Sequence, residues 1–114
     1  MARPRKYRRV CCFPQALGFV PVGMETSQPG VTLTVDEYEA IRLIDLEGLT
    51  QEEAAEQMQV GRSTVQAIYN SARHKLALCL VGGRPLIITG GDYEVCPRQR
   101  PCGGCRHGGG CPGR

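Results

Sequence analysis

The chain has 114 residues, a formal net charge of +3 and seven cysteines, but no tryptophan. A chain of this length builds one small domain with short tails. No apolar run approaches the roughly 18 residues that a membrane helix requires, so we expect no membrane contact. Because no phosphate loop, paired nucleophile and base, or apolar pair of carboxylates stands out, the sequence predicts that the protein is not an enzyme.

Charge is distributed unevenly along the chain. Residues 1–12 carry five bases and no acid, residues 35–60 carry eight acids and one base, and residues 61–84 carry four bases and no acid. The basic surface is therefore local. A local basic surface is typical of proteins that bind a polyanion such as nucleic acid.

The N-terminus superficially resembles a signal peptide. However, Pro14 and Pro21 interrupt the apolar run 10–22, and no small-residue cleavage site follows it, so we expect a cytoplasmic protein. Arg3 and Arg5 belong to a basic arm that is either solvated or in contact with DNA. The arm continues into a short predicted strand at 10–13 and an extended segment that reaches residue 30.

Two capping boxes predict two helices in the middle of the chain. Thr34 and Glu37 start the first helix, which Gly48 ends, and Thr50 and Glu53 start the second. The apolar positions that follow fit a helix-turn-helix in residues 50–80, although a plain helical hairpin would share several of them. These positions are Ala54, Ala55, Met58, Val60, Val65 and Ile68.

The last helix of this motif is predicted to run from Gly61 or Arg62 to Gly82. Its buried stripe is expected to continue through Tyr69, Ala72, Leu76 and Leu80, with Cys79 as a small buried hydrophobe. In the turn, Gln59 stands where such motifs usually have glycine, and Gly61 stands where they usually have serine. A left-handed Gln59 costs on the order of 1 kcal/mol, so we expect a slightly weakened but intact turn.

The outward face of this helix carries the candidate DNA-binding residues. Arginine, glutamine and asparagine pair with base edges in the major groove, and alanine contacts the thymine methyl group. The predicted base contacts are Arg62, Ser63, Gln66, Ala67 and Asn70. The predicted phosphate contacts are Thr64, Arg73, His74 and Lys75, together with Arg3 and Arg5 of the arm. A single histidine such as His74 is not a metal site by itself.

The C-terminal part of the chain has two further features. The run RPLIITGGDYEV predicts a β-hairpin around Gly90 and Gly91, with a third strand from residues 10–13 or from a second subunit. The tail 96–114 offers four cysteines in a C-x5-C-x2-C-x5-C spacing, which suits zinc or an iron-sulfur cluster, although a flexible thiol-rich tail remains the alternative. The predicted ligands are Cys96, Cys102, Cys105 and Cys111, to which Cys11 and Cys12 could add, although neighbouring side chains in a strand point to opposite faces.

The segment 49–76 resembles region 4 of bacterial sigma factors, whose helix-turn-helix reads promoter DNA. The run VTLTVDEYEAIRLIDLEGLTQEEAAEQMQVGRSTVQAIYNSARHKLALCLVGGRPLIITGGDYE and the arm RPRKYRRV resemble the predicted DNA-binding proteins of the family "domain of unknown function 134". The resemblance covers residues 3 to about 95. It implies a DNA-binding helix-turn-helix and lends no support to the tail.

These features predict a mainly α protein with a sigma region 4-like helix-turn-helix, a small β-hairpin and a disordered or metal-ordered tail. The segments are a basic arm and extended segment at 1–30, the helix-turn-helix domain with its hairpin at 31–95, and the Cys/Gly-rich tail at 96–114. The predicted function is sequence-specific binding of double-stranded DNA by a transcriptional regulator, which needs no cofactor. Its other expected partners are RNA polymerase or another protein, or a second copy in a homodimer.

The tail adds two alternatives. The protein could be a metal or iron-sulfur accessory protein whose helical domain binds a protein partner. In a third interpretation the tail senses metal or redox state and changes DNA affinity.

Overall fold

The computed structural model describes residues 8–25 and 27–95. Arg3, Arg5 and the four predicted metal ligands Cys96, Cys102, Cys105 and Cys111 lie outside these residues. The helices are α1 (Val35–Ile41), which continues as a π-helical turn (Arg42–Leu46), α2 (Gln51–Met58) and α3 (Arg62–Gly82). The strands are β1 (Arg8–Val10), β2 (Gly18–Phe19), β3 (Val31–Leu33), β4 (Leu86–Ile88) and β5 (Tyr93–Val95).

Both predicted capping boxes are confirmed. At α1, the Glu37 N–H donates to Thr34 Oγ1 at 3.3 Å and the Thr34 N–H donates to Glu37 Oε1 at 2.9 Å. At α2, the corresponding bonds between Glu53 and Thr50 measure 3.1 and 2.9 Å. Each box satisfies main-chain donors that the first turn of a helix leaves without a partner, and it fixes where the helix begins.

The core consists of two adjoining apolar clusters. The first joins α1, α2 and α3, and the six predicted positions from Ala54 to Ile68 all lie in it or against it. The second joins α1 and α3 to the strands and is built from Val10, Leu33, Val35, Ala72, Leu86 and Ile88. Val10 is fully buried, so β1 contributes to the same core as the helices.

The predicted β-hairpin is wrong. Strands form on both sides of Gly90 and Gly91, but β4 pairs with β2 and β3, whereas β5 pairs in parallel with β1. The loop between them crosses the start of α1, where the Val35 N–H donates to the Gly90 carbonyl at 3.0 Å. Both glycines have positive φ, at 81° and 100°, which lets the chain leave one sheet and enter the other.

Two smaller predictions also need correction. The strand predicted at 10–13 lies at Arg8–Val10, and the chain bends at the next two residues. The buried stripe of α3 ends before Leu80, which is 86% exposed, because the helix extends past the core at its C-terminal end. Cys79, one position earlier, is partly buried against the strands, as its position on the stripe predicted.

Candidate nucleic-acid interface

The connection between α2 and α3 is a tight turn of three residues. Gln59 adopts the left-handed conformation, with φ of 60° and ψ of 45°, and its N–H donates to the carbonyls of Ala55 and Glu56. Gly61, in extended conformation, precedes α3 without a side-chain cap. The turn is thus intact despite the strain expected at Gln59.

The first half of α3 separates its buried and exposed residues cleanly. Val65, Ile68 and Tyr69 are buried against α1 and α2, and Ala72 is buried against α1 and the strands. The predicted base-contacting residues lie together on the opposite face and are all exposed: Arg62, Ser63, Gln66, Ala67 and Asn70. Because residues four apart are neighbours on a helix surface, Arg62, Gln66 and Asn70 form one continuous row.

Tyr69 and Arg73 connect α3 to the π-helical turn through Asp45. The Tyr69 hydroxyl donates to Asp45 Oδ1 at 2.7 Å. Burial, together with the hydrogen bond to the Asp45 carboxylate, raises the pKa of Tyr69. Arg73 lies 3.8 Å from Asp45 Oδ2 and 5.4 Å from the centre of the Tyr69 ring, yet its side chain remains 62% exposed. Arg73 therefore stays accessible to a phosphate group at the edge of the row.

Lys75, predicted as a phosphate contact, instead faces α1. Its Nζ lies 2.8 Å from Glu37 Oε1, and the Ser71 hydroxyl donates to the other carboxylate oxygen at 2.6 Å. Burial raises the pKa of Glu37, but the bonds from Lys75, Ser71 and the Thr34 main chain outweigh it, so the pKa is lowered overall. The ion pair holds α1 against α3, and it leaves Lys75 outside the exposed row.

The remaining predicted residues differ in accessibility. Thr64 is half-buried beside the turn, and His74 is exposed. His74 follows Asn70 by four residues and continues the exposed row, whereas Thr64 lies outside it.

Most of the acids in residues 35–60 are paired with cations of this chain. Asp36 pairs with Arg8, Glu37 with Lys75 and Asp45 with Arg73, and Glu39 and Glu47 both pair with Arg42. The sequence does not reveal most of these pairs, because Arg8, Arg73 and Lys75 lie on other elements than the acids they bind. They cancel much of the negative charge that the sequence places next to the basic helix, although α2 still exposes Glu52, Glu53 and Glu56.

The cysteines near the N-terminus are arranged differently from the expectation. Cys11 and Cys12 follow β1 in a bend, so their side chains do not alternate, and their Sγ atoms lie 3.6 Å apart. Both residues are buried. Within residues 8–25 and 27–95 no group of three or more potential ligands gathers around a point where a metal could bind.

Across the part of the chain that the structure describes, no helix is both long and apolar enough to cross a membrane.

Comparisons with known proteins identify relatives but no solved structure. A UPF0251 protein of Desulfitobacterium hafniense (strain Y51) is 56% identical over 97 residues, which cover 84% of this chain and 78% of the relative. A UPF0251 protein of Thermoanaerobacter pseudethanolicus is 50% identical over 109 residues, covering 94% of this chain and 92% of the relative. No solved structure is significantly similar.

A family profile described as "Protein of unknown function DUF134" matches residues 1–96, which is most of the chain. A relative aligned over 94% of the chain must also match residues beyond 96, so the similarity extends into the tail. The family predicted from the motifs is therefore confirmed, and this chain belongs to the DUF134 family of proteins of unknown function.

Proposed function

We propose that the protein is a cytoplasmic, non-enzymatic regulator that binds double-stranded DNA sequence-specifically through the first half of α3. The observation that carries the proposal is the exposed row of Arg62, Gln66 and Asn70 on a helix whose other face is buried. A helix held in this way can enter a major groove without disturbing the core.

The side chains of the row suit the edges of base pairs. Arg62 can donate two hydrogen bonds to O6 and N7 of guanine, and Gln66 or Asn70 can bind N6 and N7 of adenine. Ala67, exposed beside them, is small enough to contact the methyl group of thymine. From Arg62 to Asn70, just over two turns, the helix therefore offers a contact for each kind of base pair.

The electrostatics of α3 favour an anionic partner. Residues 62–82 include no acid, and Arg62 and Arg73 supply positive charge on exposed side chains, whereas Lys75 is paired with Glu37. Gly61 provides no side-chain acceptor, so the first main-chain N–H groups and the positive end of the helix dipole remain available to a phosphate. The exposed acids of α2 restrict this contact to α3 and the N-terminal arm.

The test compares two double variants with the same change in charge and composition. Arg62→Ala with Gln66→Ala removes two predicted base contacts, whereas Arg84→Ala with Gln15→Ala removes the same residue types away from the first half of α3. Fluorescence anisotropy with labelled genomic fragments at low, fixed salt measures the affinity.

Each base contact is worth about 1–3 kcal/mol, so the first variant should lose at least roughly thirtyfold in affinity. The control variant should bind like the wild type. Equal affinity of both variants, or no binding by the wild-type protein, refutes the proposed interface.

The exposed apolar surface favours a second candidate function, binding to a protein partner. Val20, Val22, Leu80 and Val81 are 72–95% exposed, in the segment after β2 and at the end of α3. Exposed apolar side chains that cluster in this way are typical of protein interfaces. In this second function, the protein would be a metal or iron-sulfur accessory protein whose helical domain binds a protein partner. If the protein is instead a DNA-binding regulator, the same surface would hold a second copy in a homodimer or contact RNA polymerase.

Sedimentation of the wild type and of a Leu80→Lys variant tests for self-association through this surface. If the protein is a metal or iron-sulfur accessory protein and not a DNA-binding regulator, it should not bind DNA even at low salt.

A further inference from the structure

β2 with the segment after it and the last turns of α3 form the two sides of one groove of about 820 Å³. The two sides meet at the end of the groove, because a Cβ added at Gly83 would lie 2.9 Å from the sulfur atom of Met24. Six apolar side chains in and beside this groove are 53–95% exposed: Phe19, Val20, Val22, Met24, Leu80 and Val81. We call these six residues the apolar face.

The helical part of the apolar face lies on the same side of α3 as the predicted base contacts. The exposed row that begins at Arg62 passes through His74 and reaches Leu78 at the same spacing of four residues, and Val81 follows one turn later. This side of the helix is therefore polar in its first half and apolar in its last turns. A partner bound at the apolar end must leave room for DNA at the polar end.

The area of the apolar face matches what two copies of this chain need for a stable interface. A fully exposed valine, leucine or methionine side chain presents roughly 60–120 Å², and a phenylalanine roughly 150–250 Å². At the observed exposures the six residues together present roughly 300–600 Å². Because about 60% of an interface is apolar, two such faces would bury roughly 1,000–2,000 Å² in total. Stable protein complexes bury about 1,200–2,000 Å².

The charges around the apolar face favour a second copy of this chain as its partner. Asp45 and Arg73 line the groove as an ion pair, with 3.8 Å between Oδ2 and Nε. Glu25 and Arg84 follow the two residues that meet at the end of the groove, so one acid and one base lie at that edge. A face bordered by charges of both signs does not repel a copy of itself, and a two-fold axis allows the acid of one copy to face the base of the other.

We propose that the apolar face binds a second copy of this chain about a two-fold axis, and that the resulting dimer reads an inverted repeat in DNA. The second part rests on the DNA-binding function proposed above. Symmetry connects the two parts, because two identical rows related by a two-fold axis match two identical half-sites on the antiparallel strands of a duplex. The dimer also removes both apolar faces from water.

The length of α3 limits the spacing of the half-sites. Gln66, at the middle of the row, is about 21 Å along the helix from Leu80, at a rise of about 1.5 Å per residue. With Leu80 near the axis, the two rows lie no more than about 42 Å apart. One turn of DNA, about 34–36 Å, falls within this limit, whereas two turns, about 70 Å, exceed it. We therefore expect half-site centres that are one turn apart.

Sedimentation equilibrium of the full-length protein without DNA measures the dissociation constant of the dimer. Val22→Lys and Leu80→Lys should each raise this constant at least roughly tenfold, because each places a charge within the apolar face. Leu46→Lys is the matched control, since Leu46 is 74% exposed on the π-helical turn and does not line the groove. It should dimerise like the wild type. All three side chains lie outside the core, so the substitutions leave the fold of each copy unchanged.

A second measurement uses only the wild-type protein and the DNA motif that it selects. The motif should be an inverted repeat. Fluorescence anisotropy at fixed salt should show at least roughly hundredfold weaker binding when one half-site is replaced, because the second contact is then lost. Inserting about five base pairs between the half-sites should weaken binding equally, because the insertion turns one half-site to the opposite side of the duplex.

Three outcomes overturn the proposal. A wild-type protein that stays monomeric at every concentration has no such interface. Dimerisation of Val22→Lys and Leu80→Lys at the wild-type level places the interface elsewhere. A selected motif without two-fold symmetry refutes the symmetric dimer while it confirms DNA binding. Failure of DNA binding itself is detected separately, because sedimentation is measured without DNA.

Discussion

Gln59→Gly should stabilise the protein, because Gln59 is the one non-glycine residue with positive φ among the described residues. A left-handed conformation costs an L-residue about 1–2 kcal/mol, and glycine removes that cost. The greater freedom of glycine in the unfolded chain offsets about 0.4–1 kcal/mol. The side chain of Gln59 is exposed, so its loss removes little packing. The expected net gain is about 0.5–1 kcal/mol.

Urea unfolding followed by circular dichroism measures this gain, and thermal unfolding should show a Tm several degrees higher, because about 1 kcal/mol corresponds to roughly 4–8 °C in a small domain. Glu56→Gly is the matched control, since Glu56 is an exposed residue within α2. It should lose about 1 kcal/mol. If Gln59→Gly is destabilised as much as Glu56→Gly, the turn does not carry the strain inferred from its geometry.

Three further predictions concern the packing around the helices. Glu37→Gln should destabilise the protein at neutral pH, because the folded-state pKa of Glu37 lies below its ordinary 4.5. The difference in unfolding free energy between the variant and the wild type should persist above pH 4.5 and shrink as the pH falls through the folded-state pKa. Urea unfolding across a pH series measures this difference. Arg42→Ala should lower the free energy of unfolding by about 3–5 kcal/mol in the same assay, because it leaves the Glu39 carboxylate buried without its cation. A smaller loss in the double variant Arg42→Ala, Glu39→Gln would confirm that cause. Gly91→Ala should lower the Tm, because φ is +100° and the added Cβ would lie 2.5 Å from Asp36 Oδ1, whereas Gly61→Ala, which meets nothing within 4 Å, should change the Tm far less.

The features that the sequence predicts correctly depend on residues close together in the chain. The capping boxes at Thr34 and Thr50 each need only two residues three apart, and hydrophobic periodicity then assigned Val65 and Ile68 to the core. The left-handed Gln59 was likewise predictable, because the preceding helix and the following glycine frame a short turn. The exposed row on α3 follows directly from this buried face.

The features that the sequence does not predict depend on residues far apart in the chain. Two glycines between two apolar runs indicate a hairpin, but the pairing of β5 with β1 joins strands more than eighty residues apart. The ion pair that draws Lys75 away from the exposed row depends on Glu37, which lies on another helix. The bend that brings the sulfur atoms of Cys11 and Cys12 together is held by a hydrogen bond from the Cys11 N–H to Glu39, which lies 28 residues later in the chain. In each case tertiary packing determines the outcome.

Selection of DNA from a random double-stranded library tests the central claim most directly. The wild-type protein is incubated with the library at one fixed, physiological salt concentration, and bound DNA is recovered and sequenced through several rounds. The DNA-binding account predicts an enriched motif that binds at least about a thousandfold more tightly than unselected DNA, and loss of this preference in the Arg62→Ala, Gln66→Ala variant. Recovery of no motif, with no DNA binding even at low salt, would contradict the account.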